Sequence, residues 1–176
     1  TVLWTYSDLL KTVGFWYQQL WAESLAKKKT LDGKEAPRAS TPLPLVGTND
    51  QHSILQQVAE GAKDKFVIFL RLKEAELAGE KIQSPMIDGF DFLKNKTLGS
   101  LLAAHAEGTQ QSLKDHGVHT LTLQLEKIDE KNLGALFLFF ETAVSMLGQY
   151  HNINTFDQPG VELSKKLAVD ILKSRS

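Results

Sequence analysis

The sequence predicts an α/β fold, a three-layer αβα sandwich with a mostly parallel sheet plus C-terminal helices. Three observations carry that prediction. Short apolar stretches alternate with amphipathic helical ones, the order that builds parallel sheets with helices on both faces. Phe66-Val67-Ile68-Phe69-Leu70 is apolar at every position, as a strand covered on both sides requires. The length of 176 residues, with 42% hydrophobic and 23% charged, suits one ordinary globular core.

Each element follows from local pattern. Val2-Leu3-Trp4 reads as a short strand. From Ser7, a residue suited to N-capping, Leu9, Leu10, Val13, Trp16, Tyr17, Leu20 and Trp21 recur at helical spacing. That helix runs out near Lys27-Lys28-Lys29, cations suited to a helix C-terminus. Thr30 to Pro42, with Gly33 and Pro37, reads as an exposed loop. Leu43 to Val46 makes a second strand, closed by Gly47. Thr48-Asn49-Asp50 then supplies capping chemistry for a helix over Ser53 to Gly61. Beyond the apolar strand at Phe66, residues 74 to 95 are mixed and predict no single element. Thr97 opens a long helix towards Asp115, and Thr120 to Leu125 alternates as a strand with one less buried face. An apolar helix from about Asn132 to Tyr150, a loop, and a helix from Val161 to Ser174 complete the chain, which shows no internal repeat.

Composition narrows the function classes. Twenty Lys+Arg against twenty-one Asp+Glu give a formal net charge of -1, no electrostatic footprint for nucleic acid or an anionic membrane. The absence of cysteine excludes a disulfide scaffold, thiol catalysis and thiolate metal sites. The longest apolar run, Leu133 to Phe140, is short for a bilayer and interrupted by Gly134. The chain opens at Thr1 on a strand, with no initiator methionine and no visible signal peptide, so the expectation is a piece of a longer protein.

In parallel sheets ligands gather beyond the carboxyl ends of the strands, and three places draw notice. Gly47-Thr48-Asn49-Asp50-Gln51-His52 follows a strand directly; Thr48 and Gln51 have capping-box spacing, and His52 is placed to act as acid, base or donor. The same pattern also fits a capped helix with an exposed histidine. Phe156-Asp157-Gln158-Pro159-Gly160-Val161-Glu162-Leu163-Ser164-Lys165 sets Pro159 at a helix start, where it is pre-organised. On that helix Val161, Lys165, Ala168 and Leu172 form one stripe, and Lys166, Asp170 and Lys173 another. Lys165 therefore interrupts an apolar row, either for a purpose or by snorkelling along the helix edge. Glu23, near the end of the first long helix, lies beside aromatic-rich turns, where a carboxylate can serve as a base; most helical glutamates are simply solvated. His116-Gly117-Val118-His119 lacks an acidic partner at ligand spacing and fits a helix-to-strand turn, and His105 falls inside a helix. There is no P-loop, G-x-G-x-x-G or G-x-S-x-G.

Taken together, these stretches resemble the carboxyl-terminal portion of the phosphoglucose isomerase (glucose-6-phosphate isomerase) family. Gly47 to His52 matches its histidine loop, Trp21-Ala22-Glu23-Ser24-Leu25-Ala26-Lys27 its catalytic-glutamate segment, and Phe156 to Lys165 one of its signatures. Lys96-Thr97-Leu98-Gly99 resembles a further shared stretch. The resemblance implies a sugar-isomerase (SIS) fold, with the second SIS domain over residues 1–150 and a loop and helix carrying the Gln/Lys motif over 151–176. It also implies a cytoplasmic enzyme of glycolysis and gluconeogenesis that interconverts glucose 6-phosphate and fructose 6-phosphate. No metal or organic cofactor is expected, and no nucleic-acid or membrane partner.

By that resemblance Glu23 moves a proton between C1 and C2 through a cis-enediol, His52 and Lys165 assist ring opening, and Gln158 contacts the sugar phosphate. The partners implied are the missing N-terminal SIS domain, which holds the phosphate loop and an arginine, and a second subunit in a homodimer to which His52 would be contributed. Ala26 and Ser164 stand where the family often has glycine, which matters only if either backbone needs positive φ. The alternative is a non-catalytic SIS module that binds sugar phosphates or mediates assembly.

Overall fold

The computed structural model describes residues 1–84 and 87–175. Four strands, β1 (Val2–Thr5), β2 (Leu43–Val46), β3 (Phe66–Leu72) and β4 (His119–Leu125), form one sheet in the order β2-β1-β3-β4. Every pairing is parallel, so the expected mostly parallel sheet is wholly parallel among the described residues. The helices are α1 (Lys11–Leu25), α2 (Asn49–Ser53), α3 (Leu55–Glu60), α4 (Leu98–Asp115), α5 (Glu130–Tyr150) and α6 (Glu162–Ser174). The chain forms two compact units, Thr1–Gln18 with Thr41–Phe139, and Gln19–Ser40 with Phe140–Ser176.

The first unit holds the sheet. Because strand side chains alternate, Val2, Trp4 and Tyr6 share one face while Leu3 and Thr5 share the other, and all five are buried. Trp4 stands in register with Leu45 and Phe69, and its ring stacks on Phe69 with centroids 5.8 Å apart. Val58 and Ala59 of α3 and Ala106 and Leu113 of α4 close that face. On the opposite face α1 approaches so closely that a Cβ on Gly14 would stand 3.0 Å from the Pro44 Cβ. Both faces of β1 and β3 are therefore covered, as their unbroken apolar runs require.

Edge strand β4 is less buried, as its alternation predicts. Leu121 is exposed, whereas the threonines meet α4 through a polar clasp. Gln110 Nε2 donates to Thr120 Oγ1 (3.2 Å) and Thr122 Oγ1 donates to Gln110 Oε1 (3.0 Å).

Helix starts differ from the sequence reading in two places. Ser7 precedes a 3-10 turn, Asp8–Leu10, and makes no side-chain cap; its carbonyl accepts from the Leu10 N–H instead. The helix expected over Ser53 to Gly61 breaks at Ile54, giving the short α2 and α3. Thr97 does cap α4, in a reciprocal capping box with Ser100. Asp129, just before α5, accepts from the Asn132 N–H at 2.8 Å, and that bond holds its carboxyl below the usual range. The unassigned stretch folds onto the start of α4, where a Cβ on Gly99 would stand 2.1 Å from the Ala75 carbonyl oxygen.

The second unit has a small core of Leu25, Ala36, Val144 and Ile153. Trp21 Nε1 donates to Ser40 Oγ at 3.1 Å, and the Leu31 N–H to the Asn152 carbonyl at 2.7 Å. Helix α6 has no buried residue, so Lys165, Ala168 and Leu172 of the expected row lie open to solvent rather than packed, and Val161, just before the helix, is half-buried. Among the described residues, α5 alone is long and apolar enough to cross a membrane by length and composition. Its Leu136, Phe140 and Val144, four residues apart, are all buried within the protein.

Candidate functional site

Glu23 lies in the last turn of α1. Helical geometry puts residues 19 and 23 on one face, and Gln19 Nε2 donates to Glu23 Oε1 at 3.3 Å. Just past the helix end Lys27 folds back, donating from Nζ to the Glu23 carbonyl oxygen at 2.7 Å. The same ammonium donates to the Asp157 carbonyl oxygen and pairs with Asp157 Oδ1 at 3.2 Å. The lysine run thus satisfies the helix C-terminus through one member, Lys27.

Gln158 follows directly. Its loop is shaped by Asn154, whose Nδ2 donates to Asp157 Oδ2 (2.9 Å) and whose Oδ1 accepts from the Phe156 N–H (3.0 Å). Pro159 then opens a 3-10 turn, Pro159–Val161, that leads into α6. Lys165, in the first turn of α6, pairs with Glu162 Oε1 at 2.8 Å. The second unit therefore brings the Glu23 helix end and the Gln158 loop to one ammonium, while Lys165 is engaged by its own helix.

His52 belongs to the first unit, on α2 beyond the carboxyl end of β2, and it is exposed. The expected Thr48–Gln51 side-chain capping box does not form. Asp50 holds the turn instead, because its position lets both carboxylate oxygens reach local donors. Oδ2 accepts from the Val46 N–H at 2.7 Å and Oδ1 from Ser53 Oγ at 2.8 Å. Gln51 turns outward to α4, donating to Thr109 Oγ1 and to the His105 carbonyl at 3.3 Å. The Gly47–Thr48 peptide is cis.

Of the other histidines, His116 has a local contact. His116 ends α4, with Nδ1 2.7 Å from the Ser112 carbonyl, and Gly117 follows with φ 76. Among the described residues no three His, Cys, Asp or Glu side chains group as metal ligands would. At the carboxyl end of β3, Arg71 is held by Glu76 (2.6 Å) and Glu107 (2.9 Å), a lock the sequence pattern did not single out. Gln19, Lys27 and Asp50 were also missed as site supports. Each has a partner four positions away that spacing could signal, whereas the contact of Lys27 with Asp157, 130 positions away, has no such signal.

A family model described as phosphoglucose isomerase matches residues 1–176. The chain belongs to the phosphoglucose isomerase family. A glucose-6-phosphate isomerase of Campylobacter jejuni is 38% identical over 179 residues, covering 98% of this chain and 42% of its own length. A probable glucose-6-phosphate isomerase of Haloquadratum walsbyi is 36% identical, covering 97% of this chain and 37% of its own. The crystal structure of a hypothetical protein from Thermus thermophilus superposes with a TM-score of 0.83 at 32% identity, over 97% of this chain and 40% of that one. That of a glucose-6-phosphate isomerase from Chlamydia trachomatis gives 0.78 at 26%, over 99% and 35%. The chain thus spans about two fifths of the length of the relatives it matches. Neither Ala26 nor Ser164 has a positive φ, so neither backbone requires glycine.

Proposed function

We propose that the chain is the carboxyl-terminal part of an aldose–ketose isomerase that interconverts glucose 6-phosphate and fructose 6-phosphate. The observation that carries this reading is the single ammonium of Lys27 joining the helix end of Glu23 to the loop of Gln158. The main chain at the proposed base and the residue preceding the proposed substrate-binding amide thereby share one partner, and fixed relative placement of such groups favours proton transfer between neighbouring carbons.

In this reading Glu23 carries the proton between C1 and C2 through a cis-enediol, steadied by Gln19. His52 and Lys165 exchange protons with the ring oxygen and the C1 hydroxyl, and Gln158 holds the sugar. Residues 1–150 form the second SIS domain, and 151–176 carry the Gln/Lys motif. The first SIS domain supplies the phosphate site, and a homodimer brings His52 to the neighbouring site. The reaction needs neither metal nor organic cofactor, and the enzyme works in the cytoplasm.

Phosphate anchoring supplies binding energy that the chemistry uses, so the 176 residues alone turn over negligibly. A dehydrogenase-coupled assay on fructose 6-phosphate checks this, and robust turnover by the isolated chain rejects the division of labour. With the first domain restored, Glu23→Gln abolishes turnover. An active complex indifferent to that substitution favours a binding module over an enzyme.

A further inference from the structure

A lysine buried to 6% side-chain exposure must spend its charge on partners. Lys27 has three N–H donors and three acceptors: the Glu23 carbonyl, the Asp157 carbonyl and the Asp157 carboxylate. A helix C-terminus needs only the first of these. The other two belong to a loop 130 residues away in sequence, immediately before Gln158. Asp157 is itself fixed from behind by Asn154, so the tie ends on a held group rather than a free one.

We propose that Lys27 is a positioning residue of the isomerase reaction, its ammonium setting where the Glu23 carboxylate stands relative to the Gln158 amide. The inference rests on the roles given to Glu23 and Gln158 above. It adds that their spacing is fixed by a buried cation rather than by the apolar core of Leu25, Ala36, Val144 and Ile153. Proton transfer depends steeply on such spacing, and a shift of about 1 Å can cost ~100-fold.

The test uses the isomerase assembled from this chain and its first domain, with Lys27→Met, Lys27→Arg, Asp157→Asn and Glu23→Gln compared by kcat, KM and thermal midpoint. Lys27→Met is expected to lower kcat per folded molecule by about 10- to 100-fold, with KM raised as Gln158 drifts. Lys27→Arg recovers part of the loss. Asp157→Asn keeps both carbonyl bonds and removes only the ion pair; it lowers kcat less than Lys27→Met does. Amide exchange at residues 154–158 rises in Lys27→Met while β3 stays protected. A merely structural lysine would lower the thermal midpoint and leave kcat per folded molecule and KM unchanged, which overturns the proposal. If Lys27→Met fails to fold, an unchanged kcat in Asp157→Asn overturns it equally. Failure of the underlying reading looks different: Glu23→Gln then keeps full turnover.

Discussion

The ring of Tyr6 occupies the space that a side chain at Gly47 would need: an added Cβ would stand 2.4 Å from Tyr6 Cε1. The ring cannot retreat, because it is 4% exposed and stacks on Phe69 with centroids 5.9 Å apart. Glycine is thus required at the exit of β2 by close approach. Gly47→Ala should destabilise the protein by ~1–3 kcal/mol, the usual cost of forcing atoms into a packed core. Denaturant unfolding measures the loss, and an unchanged midpoint would show that the turn moves aside freely.

The turn beyond it depends on Asp50. Its two carboxylate oxygens hold the Val46 N–H and the Ser53 hydroxyl, four residues back and three ahead. Asp50→Ala strands a half-buried backbone donor and should cost about 1–2 kcal/mol. Asp50→Asn keeps an acceptor and should cost less. In the assembled isomerase the alanine variant also lowers turnover, since His52, with its proposed ring-opening role, rides on this turn. Equal melting temperatures for the two variants would remove Asp50 from that role.

How much of this was legible beforehand follows the range of the interactions. A mostly parallel sheet was readable because strands alternate with helices and Phe66 to Leu70 is apolar on both faces. Helix α4 was readable because Thr97 and Ser100 settle its start within three residues. The Ser7 and Thr48 caps failed because a capping residue only offers an acceptor; tertiary contacts decide whether a donor is there. At the proposed site, Glu23, His52 and Lys165 stand out by position, whereas their roles and the role of Gln158 come only from the resemblance. Lys27 was read only as a helix-end cation, because its partner Asp157 is fixed by folding rather than by spacing. The open face of α6 had the same cause: a helical wheel defines a stripe but not what covers it.

Alkaline stability should depend on Tyr17. Its ring is fully buried, its hydroxyl donates to Thr1 Oγ1 at 2.8 Å, and burial pushes its pKa from 10.0 up to about 12. The folded state therefore holds the proton where the unfolded state has lost it. This stabilisation is complete below pH 10.0 and disappears as pH rises through about 12. The tighter hold on that proton corresponds to about 2–3 kcal/mol. Burial raises Tyr6 as well, so the alkaline slope has two contributors. Tyr17→Phe should flatten the fall in unfolding free energy across this window without abolishing it. Denaturant melts at stepped pH, followed by tyrosinate absorbance, provide the measurement; an identical slope in the variant would refute the assignment.

Lys165 offers a separation of stability from chemistry. Its pair with Glu162 is 2.8 Å long, but the two side chains are 66% and 59% exposed. Such a surface pair is worth no more than about 0.5 kcal/mol, so Glu162→Gln and Lys165→Met should both melt within that margin of the parent. Turnover should then divide them. Glu162→Gln leaves the ammonium in place and keeps kcat within about twofold in the assembled isomerase, as expected for a partner that only shares a helix face. Lys165→Met removes the proposed proton-transfer group, and losses of ~100-fold or more are ordinary for such groups. A ring-opening role makes the loss greater for the cyclic sugar phosphate than for an acyclic analogue already in the open-chain form. Equal losses on the two substrates would move Lys165 from ring opening to general binding, and no loss on either would leave it an ordinary solvated lysine of α6.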